Sequence, residues 1–200
     1  MASSVSNSLS TLVEAKPNTF IYEKRGALSS EFCSDVIARF EQCTEDQYQG
    51  RIGQMASENT DIKRSTDIVV SGKPHWHDVD RALFKSLGFA IREFRSRYPY
   101  FGGPFKDMGY GLQRTEPGEF YHWHIDGGSH EFSHRQLVAI WYLNDVQGPG
   151  GETEFLFQNV KIQPEQGKLL LFPPFWTHEH RGVELQMGVK YIATTWVVFA

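Results

Sequence analysis

Hydrophobic residues recur at helical spacing twice in the first half of the chain and at strand spacing through most of the second. Phe32, Cys33, Val36, Ile37 and Phe40 share one face of a helix that Ser29 or Ser30 can cap. A short strand in "TFIYEKRG" precedes it. A second helix starts at Pro74, a residue suited to a helix start, and carries the stripe Trp76, Val79, Leu83, Leu87, Ile91 and Phe94. Both stripes read as core, Cys33 included. "KRSTDIVVS" reads as a strand. Residues 44–62 are polar, with Gly50 and Gly53, and make either a mobile lid or a plain connector.

After "PYFGGPF" the texture changes. The runs "KDMGYGLQRT", "EFYHWHID", "RQLVAIWYLND", "ETEFLF", "GKLLLFP", "HEHRGV" and "GVKYIATTWVVF" are short, apolar or alternating, and separated by turn signals such as "GPGG" and "FPPF". Roughly seven strands after two helices predict a β-sandwich or barrel buttressed by helices on one face. The 200 residues suit one domain, over 19–200, after a loosely held leader at 1–18. That leader lacks the basic start and apolar run of a signal peptide or membrane span.

Composition narrows the function. A net charge of −4 gives no basic footprint for nucleic acid. Cys33 and Cys43 are the sole cysteines, which excludes a disulfide framework and points to a reducing compartment such as the cytoplasm.

Candidate chemistry sits in "FYHWHIDGG". On a strand, period two places His122, His124 and Asp126 on one face and Tyr121, Trp123 and Ile125 on the other. A His and an Asp two apart can grip one metal ion, yet the same pattern also suits a solvated strand face. "FWTHEHRG" adds His178 and His180 on another predicted strand. Two histidines and a carboxylate form a facial triad with open positions, the set that suits non-haem Fe(II) oxygenases. Lys190 lies in a strand otherwise apolar on both faces. Either it snorkels from an edge strand, or it meets a carboxylate from outside the protein. The far carboxylate of a dicarboxylic co-substrate fits, with Tyr142, Thr194 and Thr195 as hydroxyl donors.

The chain resembles the Fe(II)- and 2-oxoglutarate-dependent dioxygenases, in particular the prolyl 4-hydroxylase-like branch. Gly118, Tyr121, His124 and Asp126 stand in that family's order and spacing, and "YLNDV" and "GGETEF" match its next block. His180 stands ten residues before Lys190, where the family places its second metal histidine, and Gly188 and Trp196 also fit. The resemblance spans about residues 19–199. It implies a mainly β, α+β fold: a double-stranded β-helix (jelly-roll) barrel with supporting N-terminal helices. It implies His124, Asp126 and His180 as iron ligands, with Lys190 on the 2-oxoglutarate C5 carboxylate and Tyr142 and Thr194 helping. The implied cofactor is Fe(II), with 2-oxoglutarate and O2 as co-substrates and ascorbate as a reductant. The implied reaction hydroxylates an unactivated C–H bond of a peptidyl residue and releases succinate and CO2.

Two positions depart from the family. Arg114 and Thr115 stand where a tyrosine commonly helps to hold 2-oxoglutarate, and Glu184 replaces a proline after the second histidine. Both weaken transfer of the peptidyl-proline substrate. The rival readings are a hydroxylase of a free amino acid or small metabolite, and a cupin-like module that binds metal without turnover. Asp126 occupies the position a halide would need, which disfavours halogenation. His178 is expected beside His180 on the strand face, at the mouth, and His122 beside the ligands. Arg64 is expected in an ion pair or against an anionic substrate, and Glu152 and Thr153 in a turn.

Overall fold

The computed structural model describes residues 11–53 and 57–200. Two helices form where the stripes predict them. In α1 (Ser30–Gln42) the Ser29 hydroxyl caps the start, accepting the Phe32 N–H at 3.2 Å, and Cys33, Val36 and Phe40 are buried. Burial pushes the Cys33 thiol up to about 11, so it is packing and not a nucleophile. A 3-10 turn over Pro74–Trp76 leads into α2 (His77–Arg97), which buries Val79, Leu83, Leu87, Ala90 and Phe94.

The strands run in chain order. Before α1 come β1 (Val13–Glu14) and β2 (Tyr22–Lys24); between the helices come β3 (Tyr48–Gln49), β4 (Arg51–Ile52), β5 (Ser57–Glu58) and β6 (Thr66–Val69). After α2 follow β7 (Phe105–Asp107), β8 (Gly111–Thr115), β9 (Tyr121–His124), β10 (Arg135–Tyr142), β11 (Thr153–Phe155) and β12 (Val160–Ile162). The last are β13 (Leu169–Phe172), β14 (His180–Gly182) and β15 (Lys190–Phe199). Among the described residues they build a nine-stranded sheet in the order β1-β2-β13-β10-β15-β8-β6-β3, with β7 against the end of β15. A four-stranded sheet, β12-β11-β14-β9, packs on it, and β4–β5 is a separate hairpin. Pairing is antiparallel throughout the jelly-roll barrel.

Period two explains the layers. In β10, Leu137, Ala139 and Trp141 pack toward the helices. Val138, Ile140 and Tyr142 pack inward with Phe155 and Phe172. Burial on both faces is why this strand reads as a continuous apolar run. In β15, Ala193 and Val197 face the helices, while Lys190, Ile192, Thr194 and Trp196 face the barrel cavity.

The leader expected over 1–18 divides at its end. Residues 1–10 lie outside the described residues, whereas Leu12 is buried and donates its N–H to Glu93 at 2.7 Å. Val13 and Glu14 pair with Glu23 and Tyr22, so this part belongs to the sheet. The 44–62 segment likewise has structure, a 3-10 turn at Thr44–Asp46 followed by β3 and the β4–β5 hairpin; the lid expected there lies partly outside the described residues, at 54–56. No described helix is long and apolar enough to cross a membrane.

Candidate metal centre

The site begins with a break in strand phase. His124 pairs directly with His180, but Tyr121 pairs with Gly182, so β9 takes three steps where β14 takes two. This bulge reverses the expected faces. Tyr121, not His122, stands beside His124, their rings stacked 3.6 Å apart at 14°. His122 is exposed and lies against Phe120 outside the cavity, so it is no neighbour of the ligands. His178 also departs from the strand reading. It closes a 3-10 turn, Trp176–His178, and its buried ring reaches the Thr19 carbonyl at 2.8 Å through Nε2. It braces the amino-terminal segment and does not face the mouth.

His124, Asp126 and His180 converge, with one donor atom from each lying within 4.8 Å of the others. Asp126 Oδ2 lies 3.2 Å from His180 Nε2 and 4.0 Å from His124 Nε2. The same local device aims both rings: His124 Nδ1 pairs with the His122 carbonyl at 2.7 Å, and His180 Nδ1 with the His178 carbonyl at 2.9 Å. With Nδ1–H donating to those carbonyls, each Nε2 keeps its lone pair for a metal. Burial, then the neighbouring His180, pushes His124 down to about 3, which keeps it neutral and able to ligate a metal. Burial pushes Asp126 upward, but hydrogen bonding to His180 and the charges around it outweigh this and hold it below the carboxylate range. Two imidazoles and one carboxylate form a donor set for a divalent cation that leaves coordination positions open.

The triad opens on a cavity of about 210 Å³, and Lys190 is part of its wall. Lys190 is 5% exposed, and its single hydrogen bond among the described residues goes to the Gly151 carbonyl at 2.7 Å. Gly150 and Gly151 turn that carbonyl inward at positive φ, and a Cβ on Gly150 would lie 1.9 Å from the Glu184 carbonyl oxygen. Burial pushes the Lys190 ammonium down to about 8, partly offset by the charge of Glu152. A buried cation satisfied by one carbonyl is incomplete, and a carboxylate in the cavity would complete it.

The helper residues separate. Thr194 lines the cavity as expected. Tyr142 stands behind the wall, fully buried, and donates its hydroxyl to Thr153 Oγ1 at 2.7 Å. Thr153, expected in a turn, is therefore the hydroxyl that reaches the cavity. Thr195 points to the helix side and bonds the Gly109 carbonyl at 2.6 Å. At the family's tyrosine position, Arg114 turns out to Glu41 of α1 at 2.9 Å. Thr115 pairs across from Lys190 and accepts from Gln113, whose side chain lines the cavity. Arg64 is exposed, with Nε on the Thr60 carbonyl and its guanidinium over Phe120; it forms no ion pair among the described residues.

Sequence reasoning missed Arg135, Trp196 as a functional group, and the rim residues Arg51 and Lys63. Arg135 had a signal, since it opens the buried run "RQLVAIWY" much as Lys190 opens its own strand. Lys63, paired with Asp67 at 2.7 Å, had none.

Residues 110–198 match the family model described as the 2OG-Fe(II) oxygenase superfamily. No curated protein sequence matches the chain. In fold the chain is similar to a prolyl hydroxylase from Trichoplax adhaerens, solved with a hypoxia inducible factor oxygen degradation domain peptide fragment. That likeness has a TM-score of 0.77 at 17% identity and covers 90% of this chain and 84% of that one. It is also similar to the viral collagen prolyl hydroxylase of Paramecium Bursaria Chlorella virus-1, solved with 2OG, with a TM-score of 0.67 at 20% identity over 90% and 96% of the chains. A Pseudomonas putida prolyl-4-hydroxylase gives a TM-score of 0.68 at 17% identity over 90% and 93%.

Proposed function

We infer that this chain, whose barrel belongs with the 2OG-Fe(II) oxygenase superfamily and its prolyl hydroxylase-like branch, hydroxylates an unactivated C–H bond of a residue within a peptide or protein. The observation that carries this reading is the placement of a largely buried two-histidine, one-carboxylate set and a buried, incompletely satisfied lysine on the walls of one cavity. His124, Asp126 and His180 would hold Fe(II), and Lys190 would meet the distal carboxylate of 2-oxoglutarate. The chemistry supplied when both are bound is oxidative decarboxylation to succinate and CO2, with one atom of O2 entering a C–H bond.

The chain's own residues prepare that reaction. In each histidine Nδ1 pairs with a backbone carbonyl, which turns Nε2 toward the site and sets the tautomer that presents its lone pair there. Lys190 carries the charge that selects a dicarboxylic co-substrate, and Thr153 and Thr194 offer hydroxyls from the same walls. Val138, Ile140 and Ile192 close the cavity floor with apolar surface and exclude water.

An extended substrate is supported by a second hollow of about 510 Å³. It shares Arg51, Lys63, Gln113, Thr194 and Trp196 with the first and runs along β6 and β8 past the exposed Val69 and Met108. A chain entering the metal cavity therefore has a trough in which its flanks can lie. A cytoplasmic setting is part of the proposal and is supported by free Cys33 and Cys43.

The test supplies Fe(II), 2-oxoglutarate and ascorbate, then compares pooled proline-containing peptides with free amino acids as substrates. Peptide-dependent succinate release with an oxygen-mass gain on the peptide is expected. Turnover of free amino acids with none of the peptides would overturn the peptide assignment in favour of a small metabolite.

A further inference from the structure

We infer that Trp196 and Arg135 are positioning residues that make Asp126 a one-oxygen ligand, and so keep a coordination position open on the metal; this rests on the metal-centre reading above. Each polar group of Asp126 can be followed to a partner. Its N–H donates to the Pro174 carbonyl at 3.1 Å, and the next N–H, of Gly127, donates to the same oxygen at 2.8 Å. Its carbonyl accepts from an Arg135 terminal nitrogen at 2.8 Å. Its Oδ1 accepts from the indole Nε1–H of Trp196 at 3.0 Å. Oδ2 alone turns toward the histidines.

The two positioning residues support each other. The Arg135 guanidinium lies between two ring faces, 3.8 Å from Trp196 and 4.0 Å from Phe132. The nitrogen that holds the Asp126 carbonyl is also 3.9 Å from Oδ1, so its charge favours the carboxylate in this orientation. Arg135 is 8% exposed and its Nε has no hydrogen-bond partner among the described residues, a cost that packing alone would have avoided with an apolar residue. Trp196 itself faces the cavity from β15, in phase with Lys190 and Thr194.

The coordination arithmetic gives this a purpose. A facial triad leaves about three positions on an octahedral metal, two for a chelating co-substrate and one for oxygen. A carboxylate free to swing both oxygens onto the metal would take one of them. With Oδ1 held by the indole, Asp126 cannot do so without breaking a part-buried hydrogen bond.

The experiment titrates Co(II), a redox-stable probe, into the wild-type chain and Trp196→Phe by calorimetry, then 2-oxoglutarate into each metal-loaded protein. Removing the indole N–H is expected to weaken Co(II) binding about 10- to 100-fold, the range typical of outer partners of metal ligands. It is also expected to weaken 2-oxoglutarate binding to the loaded protein. Equal affinities for both in a folded Trp196→Phe would overturn the inference while leaving the metal centre intact; a wild-type chain that binds no Co(II) overturns both. Should the variant not fold, the 15N-labelled wild type decides. The Trp196 indole N–H is expected to exchange with water far more slowly than that of exposed Trp176, and equal exchange rates overturn the inference.

Discussion

At the scale of single residues, the two histidines of "HEH" have separate tasks that the structure makes measurable. His180 offers Nε2 to the triad, whereas His178 spends its ring on the Thr19 carbonyl. His180→Ala is therefore expected to abolish metal binding. His178→Ala is expected to retain it and lose about 1–3 kcal/mol of stability, the cost of leaving a buried carbonyl unpaired. Metal titration and thermal melts on both variants check this, and the reverse pattern would show the ligand assignment to be wrong. Lys190→Met should bind metal normally and 2-oxoglutarate on the order of 10- to 100-fold more weakly, given about 1.5–3 kcal/mol for a charge-assisted hydrogen bond. The same lysine has a pH signature. Its ammonium is pushed down to about 8 in the folded chain, below its ordinary value of 10.5. Between those values the unfolded chain binds the extra proton, so this group makes the co-substrate-free protein more stable as pH rises through that window. Co-substrate affinity should move the opposite way, falling above about pH 8 as the ammonium is lost. Melts and 2-oxoglutarate titrations across pH 7–10, in wild type and Lys190→Met, separate the two effects.

At the scale of elements, what could be read from the sequence depended on whether a strand kept its period. β15 and, from Leu137 onward, β10 keep it, so alternate residues fall correctly to the helix side and the cavity side, and Lys190 and Thr194 are found where the pattern puts them; a register break between Arg135 and Leu137 is what lets Arg135 line the cavity. β9 does not, because its bulge adds a residue opposite β14, and nothing in "FYHWHID" marks the extra residue. His122 and Tyr121 exchanged places for that reason alone. "FPPFWTH" hid a 3-10 turn in a run that resembled the start of a strand, which misplaced His178. Thr153 was passed over because "GGETEF" reads as a turn until its pairing with Ile162 and Gly182 is known. Helix α1 is the opposite case, since its cap and stripe are both local. Ser29→Ala is expected to cost about 1 kcal/mol, a melting shift of about 2–4 °C for a chain of this size, with metal affinity unchanged.

At the scale of the whole molecule, the barrel uses its two sheets unequally. The larger sheet is buried on both faces along β10 and β13, against α1 and α2 outside and the smaller sheet inside. This rigid wall supplies Lys190, Thr194, Trp196 and Arg135. The smaller sheet supplies His124 and His180 on paired strands, with Asp126 just beyond β9. The candidate metal ligands and the lysine proposed for the co-substrate thus come from facing sheets, and the site exists only when these pack together. That dependence was legible as a family spacing between His180 and Lys190, but not as a geometry, because no local pattern encodes how two sheets face each other. It makes one experiment decisive for the central claim: an anaerobic titration of the wild-type chain with Fe(II) and then 2-oxoglutarate, followed by admission of air. A single Fe(II) site is expected, with 2-oxoglutarate bound only once it is filled, and succinate released when oxygen enters. An iron-loaded chain that binds no 2-oxoglutarate and yields no succinate would contradict the account.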